Sequence, residues 1–319
     1  MEVNVDILQM CCFLLLSVLE SSLAAVTYCG NGMCLCDDKT HQADCKSVHE
    51  GQKLLFFPKL PDNIEDVTIR YFKCEKIFVR NLQNFTDLPL TKLCFDSLDM
   101  QFMQTGLFRN LRNLKEVEIS HNRKLPSKTL RDAFLNISSS LQILNLTSNR
   151  WNYIVPDFFK YVSHTNLSTV VLAGNQLRNL TADIFQDLKL TALDFSVLDL
   201  GNTLLRDIPV FCGVIRQSLT PNLTKLYLLN TSIITLQGYR FQCLPRLQIL
   251  DLRFNYFAEI PLFCNKVKDS IHPKLQELYL SHSKIRYIFN NSFSCLPSLT
   301  KLDLSFTELH PSHPEVCEQ

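Results

Sequence analysis

The chain has almost no net charge: 32 Lys and Arg stand against 31 Asp and Glu in 319 residues, a formal balance of +1. That balance excludes the basic field that would make nucleic acid a default partner. Beyond the N-terminal segment there is no run of about 18 apolar residues, the length a membrane-spanning helix needs, and the polar tail does not look like a lipid-anchor signal. Catalytic patterns are missing too. There is no G-x-S-x-G or H-E-x-x-H, and His49-Glu50 lacks a second His at metalloprotease spacing. Gly30-Asn31-Gly32 lacks the third glycine, strand and helix of a dinucleotide site and reads as a turn. Neither enzyme activity nor a cofactor or metal is expected.

The N-terminus reads as a secretory signal over residues 1–24. Ile7 to Leu19 is rich in apolar residues, and the small Ala24 and Ala25 that follow suit peptidase cleavage. Its n-region departs from the pattern in carrying Glu2 and Asp6 with no Lys or Arg. Cys11 and Cys12 leave with the signal, so the other eleven of the 13 cysteines enter an oxidising compartment, where pairing is expected with one left over. Residues 25–60 hold the densest cluster, Cys29, Cys34, Cys36 and Cys45, which reads as a disulfide knot rather than a zinc site. Four cysteines allow three pairings.

Residues 61–319 carry a Leu-x-x-Leu-x-Leu-x-x-Asn-x-Leu pattern that recurs every 24 to 28 residues, in about ten copies. The clearest are LKEVEISHN from Leu114, LQILNLTSNRW from Leu141, LSTVVLAGNQL from Leu167 and LQILDLRFNYF from Leu247. Positions four and six of each copy point inward from a short strand, and positions three, five and seven point outward. One strand cannot bury its apolar face alone, so the units are expected to stack, pair in parallel and share a core. Asn122, Asn149, Asn175 and Asn255 stand where the chain leaves the strand, and a buried amide there can bond the turn backbone on both sides. Thr203, Thr231, Ser283 and Thr307 can do part of that work; Phe72 and Leu98 cannot, so the first two repeats are expected to be irregular. Phe134, Phe159, Phe185, Phe241 and Phe293 follow the turn at similar spacing and are expected to stack on the convex side. Cys212 and Cys264 each follow a Pro-hydrophobic-Phe step, with Cys243 and Cys295 each 31 residues further on, so Cys212–Cys243 and Cys264–Cys295 are expected to bridge adjacent turns. Cys317 reads as the first half of a third such pair.

A cysteine knot followed by these repeats resembles the N-terminal cap and repeats of a Toll-like receptor ectodomain, within the leucine-rich repeat family. The resemblance implies an α/β horseshoe solenoid with a concave parallel β-sheet, an irregular convex side and a disulfide cap paired Cys29–Cys36 and Cys34–Cys45. It implies a secreted or extracellular pattern-recognition module that takes a protein or microbial ligand on its concave or lateral face, with a receptor dimer among its partners. The membrane helix and signalling domain of that family are absent from this sequence, as is a C-terminal cysteine cap. A truncated receptor ectodomain is one reading of that, and a secreted adhesion or matrix-type repeat protein that binds other proteins is the alternative.

Sugar narrows the surface. Acceptor sequons stand at Asn84, Asn136, Asn145, Asn166, Asn179, Asn222, Asn230 and Asn290. A glycan on Asn145, at the fifth strand position, would obstruct the middle of the concave sheet. The later repeats offer the better ligand patch: Tyr227, Asp251, Tyr279 and Asp303 at position five, Phe254, His282 and Phe306 at position eight, and Arg253 beside them. Equal positions on parallel strands about 4.8 Å apart form a continuous ladder, and aromatics beside charges have the composition of interaction hot spots. His121 and His282 both stand at position eight of their repeats.

Overall fold

The computed structural model describes residues 26–49, 51–185, 187–188, 197–209, 211, 218–236, 241, 243–260, 263, 272–288 and 292–309. The expected signal segment, Cys212, Cys264, Asn290 and Cys317 lie outside the described residues.

Three antiparallel strands begin the described chain: β1 (Val26–Cys29), β2 (Cys34–Asp37) and β3 (Gln42–Lys46). Disulfides Cys29–Cys36 and Cys34–Cys45 tie them together, the pairing the resemblance implied. From β3 onward every pairing in the main sheet is parallel. β4 (Asp66–Arg70) is followed by β5 (Lys76–Ile77), β6 (Lys92–Asp96), β7 (Phe102–Met103), β8 (Glu116–Ser120), β9 (Ile143–Asn145) and β10 (Thr169–Val171). Next come β11 (Val197–Asp199), β12 (Lys225–Tyr227), β13 (Ile249–Asp251), β14 (Glu277–Tyr279) and β15 (Lys301–Asp303). β5 and β7 pair separately, and the other thirteen strands form one sheet in chain order apart from those two. That order is what a solenoid requires, because each one-strand unit can cover its apolar face only with the next unit. The convex side carries the short α-helix α1 (Ser127–Ala133) and is otherwise built mostly from turns and short 3₁₀ segments among the described residues.

The alternation sorts the side chains. Val67, Leu93, Val117, Leu144, Val170, Leu198, Leu226, Leu250 and Leu278 hold position four and are fully buried. They stand opposite one another in register through the sheet. On the far side of the core a row of phenylalanines stacks along the solenoid axis: Phe108 on Phe134 at 5.5 Å between ring centres, Phe159 on Phe185 at 6.4 Å, and Phe185 against Phe211 at 5.6 Å. Phe241 is fully buried, and Phe293 packs against the core partly buried. Phe57, Phe85, Phe108 and Phe211 extend the row beyond the positions that the spacing singles out. His272 stands between Phe241 and Phe263, and burial pushes its pKa down to about 4, so it serves as a neutral aromatic there.

The asparagine positions behave as the pattern predicts. Asn149 Nδ2 donates to the Ile119 and Leu146 carbonyls at 2.6 and 2.9 Å, while its Oδ1 accepts from the Asn122 N–H at 2.8 Å. Asn255 bonds the Leu228 and Leu252 carbonyls and accepts from the N–H groups of Thr231 and Ile233. The hydroxyls of Thr203, Thr231, Ser283 and Thr307 each reach a carbonyl three residues back, which is the partial substitute expected of them.

The first two repeats are not irregular in the sheet. β4 and β6 are five residues long, while β9 to β15 have three each. Phe72 and Leu98 are buried as core residues, and neighbours take over the hydrogen bonds. Asn122 of the next repeat accepts from the Leu98 N–H at 3.0 Å, and the Leu98 carbonyl accepts from the Cys74 N–H at 2.8 Å.

Cys74 and Cys94 are buried free thiols, with pKa pushed up by burial to about 11 and about 12. Cys243 and Cys295 are each disulfide-bonded, and the partners expected for them lie outside the described residues.

Candidate functional site

The predicted patch on the later repeats is brought together by register. Asp199, Tyr227, Asp251, Tyr279 and Asp303 are consecutive cross-strand partners on β11 to β15. Just past the strands, Phe254, His282 and Phe306 form a continuous stack, with His282 at 4.1 Å from Phe254 and 4.6 Å from Phe306 between ring centres. Phe306 is 78% exposed and Phe254 44%, so the stack faces solvent.

The backbone beneath this stack is unusual. Position eight has a positive φ in all ten repeats, from Tyr71 and Ser97 through Gly174, Asn202 and Asn230 to Phe254, His282 and Phe306 at +58°, +55° and +53°. The left-handed region suits Gly and Asn and penalises a residue with a bulky side chain by about 1–2 kcal/mol. Tyr71, Ser97, His121 and Ser148 share that conformation in the earlier repeats, and in the last three the fold gains three exposed rings there. Strain of this kind, held by surrounding structure, marks sites where side-chain direction matters.

Charge surrounds the rings. Asp251 is only 2% exposed, so it is not the outward ligand contact expected of position five. Tyr227 and Tyr279 flank it in register, and Arg253 folds back over it with Nε at 2.9 Å and a terminal nitrogen at 2.6 Å. The hydrogen bond to Asp251 raises the Arg253 pKa further, and the two charges cancel locally. The Arg253 guanidinium also lies 5.1 Å from the centre of the Tyr279 ring, with Lys301 Nζ at 4.9 Å. Such cation–π contacts hold both cations over the sheet. The Tyr279 hydroxyl donates to Glu277, and the Ser305 hydroxyl and N–H bond the Asp303 carboxylate, which lowers its pKa. Burial raises the pKa of Tyr227.

Asp199 and Lys301 were missing from the sequence-level patch. Both sit at strand positions that the repeat register identifies, Asp199 at five and Lys301 at three. Burial raises the Asp199 pKa, the Gly201 N–H opposes this, and the Asp251 charge adds to it. A carboxyl with a raised folded pKa costs stability in its charged form. That cost is full above the folded pKa and gone below the unfolded value of 3.8. Asp199→Asn keeps an acceptor for the Gly201 N–H, now 2.8 Å away, and removes the charge. It is expected to raise the melting temperature at pH 7, with the gain shrinking as pH falls toward 3.8. A pH series of thermal melts checks this; a gain that persists undiminished at low pH contradicts the electrostatic cause.

Of the other predicted positions, Asn84, Asn136, Asn166, Asn179 and Asn230 are exposed, and Asn145 and Asn222 are half-buried. His121 lies away from the patch, 2.8 Å from Asp96. Among the described residues no helix is long and apolar enough to cross a membrane.

The stacked parallel strands, the asparagine ladder and the disulfide cap form a leucine-rich repeat solenoid fold, and a leucine rich repeat family model matches residues 270–309. The chain is 25% identical to bovine osteomodulin over 247 residues, 75% of this chain and 52% of that protein. It is 27% identical to human lumican over 237 residues, 74% of this chain and 63% of that protein. It therefore spans between about half and two-thirds of the length of these curated relatives. Among solved structures, human 5T4 (Wnt-activated inhibitory factor 1, trophoblast glycoprotein) superposes with a TM-score of 0.55 at 18% identity, over 72% of this chain and 83% of that one. These likenesses support the repeat class; they do not support the Toll-like resemblance within it.

Proposed function

We propose that this chain is an extracellular, protein-binding leucine-rich repeat module of the matrix type, with its principal contact on the Phe254–His282–Phe306 stack and the Tyr279, Arg253 and Lys301 side chains beside it. The observation that carries the reading is the stack itself: three rings held on left-handed backbone and exposed to solvent. Rigid aromatics supply contact area at little entropic cost, and the flanking cations add orientation. The disulfide cap suits an oxidising compartment, and the relatives osteomodulin and lumican are extracellular matrix proteins.

The test is surface plasmon resonance of the purified chain against a panel of purified matrix proteins and, separately, microbial cell-wall lipids and double-stranded nucleic acid. A protein ligand is expected whose affinity falls by at least about tenfold in Phe306→Ala, roughly 1.4 kcal/mol. Phe306→Asn is expected to lose binding equally while melting no lower than the parent, because Asn suits a positive φ. Binding confined to the microbial ligands would return the Toll-like pattern-recognition reading.

A further inference from the structure

A second surface lies on the lateral face, after the turn residues rather than on the sheet. Backbone bonds connect the rungs there: Leu204 N–H to the Leu177 carbonyl at 2.9 Å, Ile234 to Arg206 at 3.3 Å, Tyr256 to Ile233 at 2.8 Å and Lys284 to Phe257 at 3.1 Å. Over these five rungs runs a groove of 570 Å³ lined by Arg178, Leu204, Arg206, Ser232, Ile234, Tyr256 and Lys284. Its apolar centre is open, with Leu204 41%, Ile234 55% and Tyr256 54% exposed. Arg178 and Arg206 sit on neighbouring rungs at one end and have no ion pair or side-chain hydrogen bond among the described residues. Lys284 closes the other end, its Nζ 5.4 Å from the centre of the Tyr256 ring. No carboxylate lines the groove. Of the acids on flanking rungs, Glu308 is paired with Arg286 at 3.0 Å, and Asp207 accepts from the Ile208 N–H at 2.9 Å.

We infer that this groove binds an extended acidic peptide segment of a partner protein, with carboxylates at its two ends and an aliphatic side chain between them. The charge pattern decides for a peptide. Four inter-strand steps of about 4.8 Å give a span of roughly 19 Å, which about six extended residues cover at ~3.3 Å each. A sulfated polysaccharide would place anions along the whole span, and its middle ones would lie over Leu204 and Ile234 with no cation to meet them. A peptide can put a carboxylate on the Arg178–Arg206 pair, an aliphatic side chain on Leu204, Ile234 and Tyr256, and a second carboxylate on Lys284. Guanidinium–carboxylate forks at the rim then orient the apolar contact at the centre. None of the residues lining this groove belongs to the aromatic stack, so the inference does not depend on it.

The experiment is selection from a randomised peptide-display library on the purified full chain carrying Asn179→Gln, so that no glycan borders the Arg178 end. The expected consensus has acidic residues flanking an aliphatic one. Peptides of that consensus should bind at least about tenfold more weakly to Arg206→Glu and to Ile234→Asp, weaken with added salt, and bind unchanged to Phe306→Ala. Both groove positions are surface side chains, and matching far-ultraviolet circular dichroism and melting curves verify that the variants are folded. Enrichment of no acidic consensus, or acidic peptides indifferent to Arg206→Glu, would overturn the inference. So would heparin fragments whose binding is lost in Arg206→Glu but kept in Ile234→Asp, since that pattern assigns the cations to a polysaccharide.

Discussion

Asn122→Ala is expected to destabilise the chain by about 4 kcal/mol, more than any other single substitution considered for this fold. The Asn122 side chain is fully buried. Its Oδ1 accepts from the Leu98 and Met100 N–H groups at 3.0 and 3.4 Å, and its Nδ2 donates to the Phe95 and Ser120 carbonyls at 3.0 and 2.7 Å. Alanine leaves two N–H donors in a site that solvent does not reach, at roughly 1–3 kcal/mol each. The carbonyls suffer less; that of Ser120 still accepts from the Ser97 N–H at 3.0 Å. Thr203→Ala is the internal scale, because that hydroxyl bonds a single carbonyl, Leu200 at 2.9 Å, a loss of about 1 kcal/mol. Denaturant unfolding measures both. The expected result is a lowered midpoint with the slope preserved, and faster amide exchange at Leu98 and Met100. If Asn122→Ala lost no more than Thr203→Ala, the ladder would be incidental to stability.

The ladder was legible in the sequence because it depends on spacing alone. A leucine at positions four and six and an amide at position nine specify one strand and one turn, and stacking forces the rest. The convex phenylalanine row was legible for the same reason where its spacing held; Phe57 and Phe211 escaped because their intervals differ. The candidate site was only half legible. Register puts Phe254, His282 and Phe306 in one line, and this follows from counting. That position eight is left-handed does not follow from Phe254 and Phe306, whose side chains disfavour it; the signal lies in the Gly174, Asn202 and Asn230 at the same position of earlier repeats. Asp251 was misread for a different reason. Position five points outward by alternation, but the flanking tyrosines and the returning Arg253 cover it, and such cover depends on neighbouring side chains that no period encodes. The first repeats erred in the opposite sense. The absence of Asn at Phe72 and Leu98 predicts irregular repeats, whereas the next repeat supplies the missing partners: the Leu98 carbonyl for the Cys74 N–H and the Asn122 side-chain oxygen for the Leu98 N–H.

Removing the Cys34–Cys45 bridge is expected to cost about 3 kcal/mol and to cause self-association, while removing Cys29–Cys36 costs less and leaves a monomer. Cys34 and Cys45 are register partners on β2 and β3, and both are buried in the core that continues into the first repeat. β3 pairs in parallel with β4, with Ala43 opposite Val67 and Cys45 opposite Ile69, so the bridge holds the strand that covers the first repeat's edge. Cys29–Cys36 holds only the outer strand β1, where Tyr28 is 80% exposed. It also closes the shorter loop, with a sequence separation of 7 against 11, and so restrains the unfolded chain less. Once β3 loosens, β4 presents unpaired backbone groups beside Val67 and Ile69, a template for pairing with another copy. Paired Cys→Ala variants avoid burying a hydroxyl, and the measurements are thermal melts without reductant and sedimentation of each variant. The expected order is parent, then Cys29→Ala/Cys36→Ala, then Cys34→Ala/Cys45→Ala in falling stability, with association in the last alone. The reverse order, or a monomeric Cys34→Ala/Cys45→Ala variant of undiminished stability, would mean that the apolar contacts of β3 with β4 hold the edge without the inner bridge.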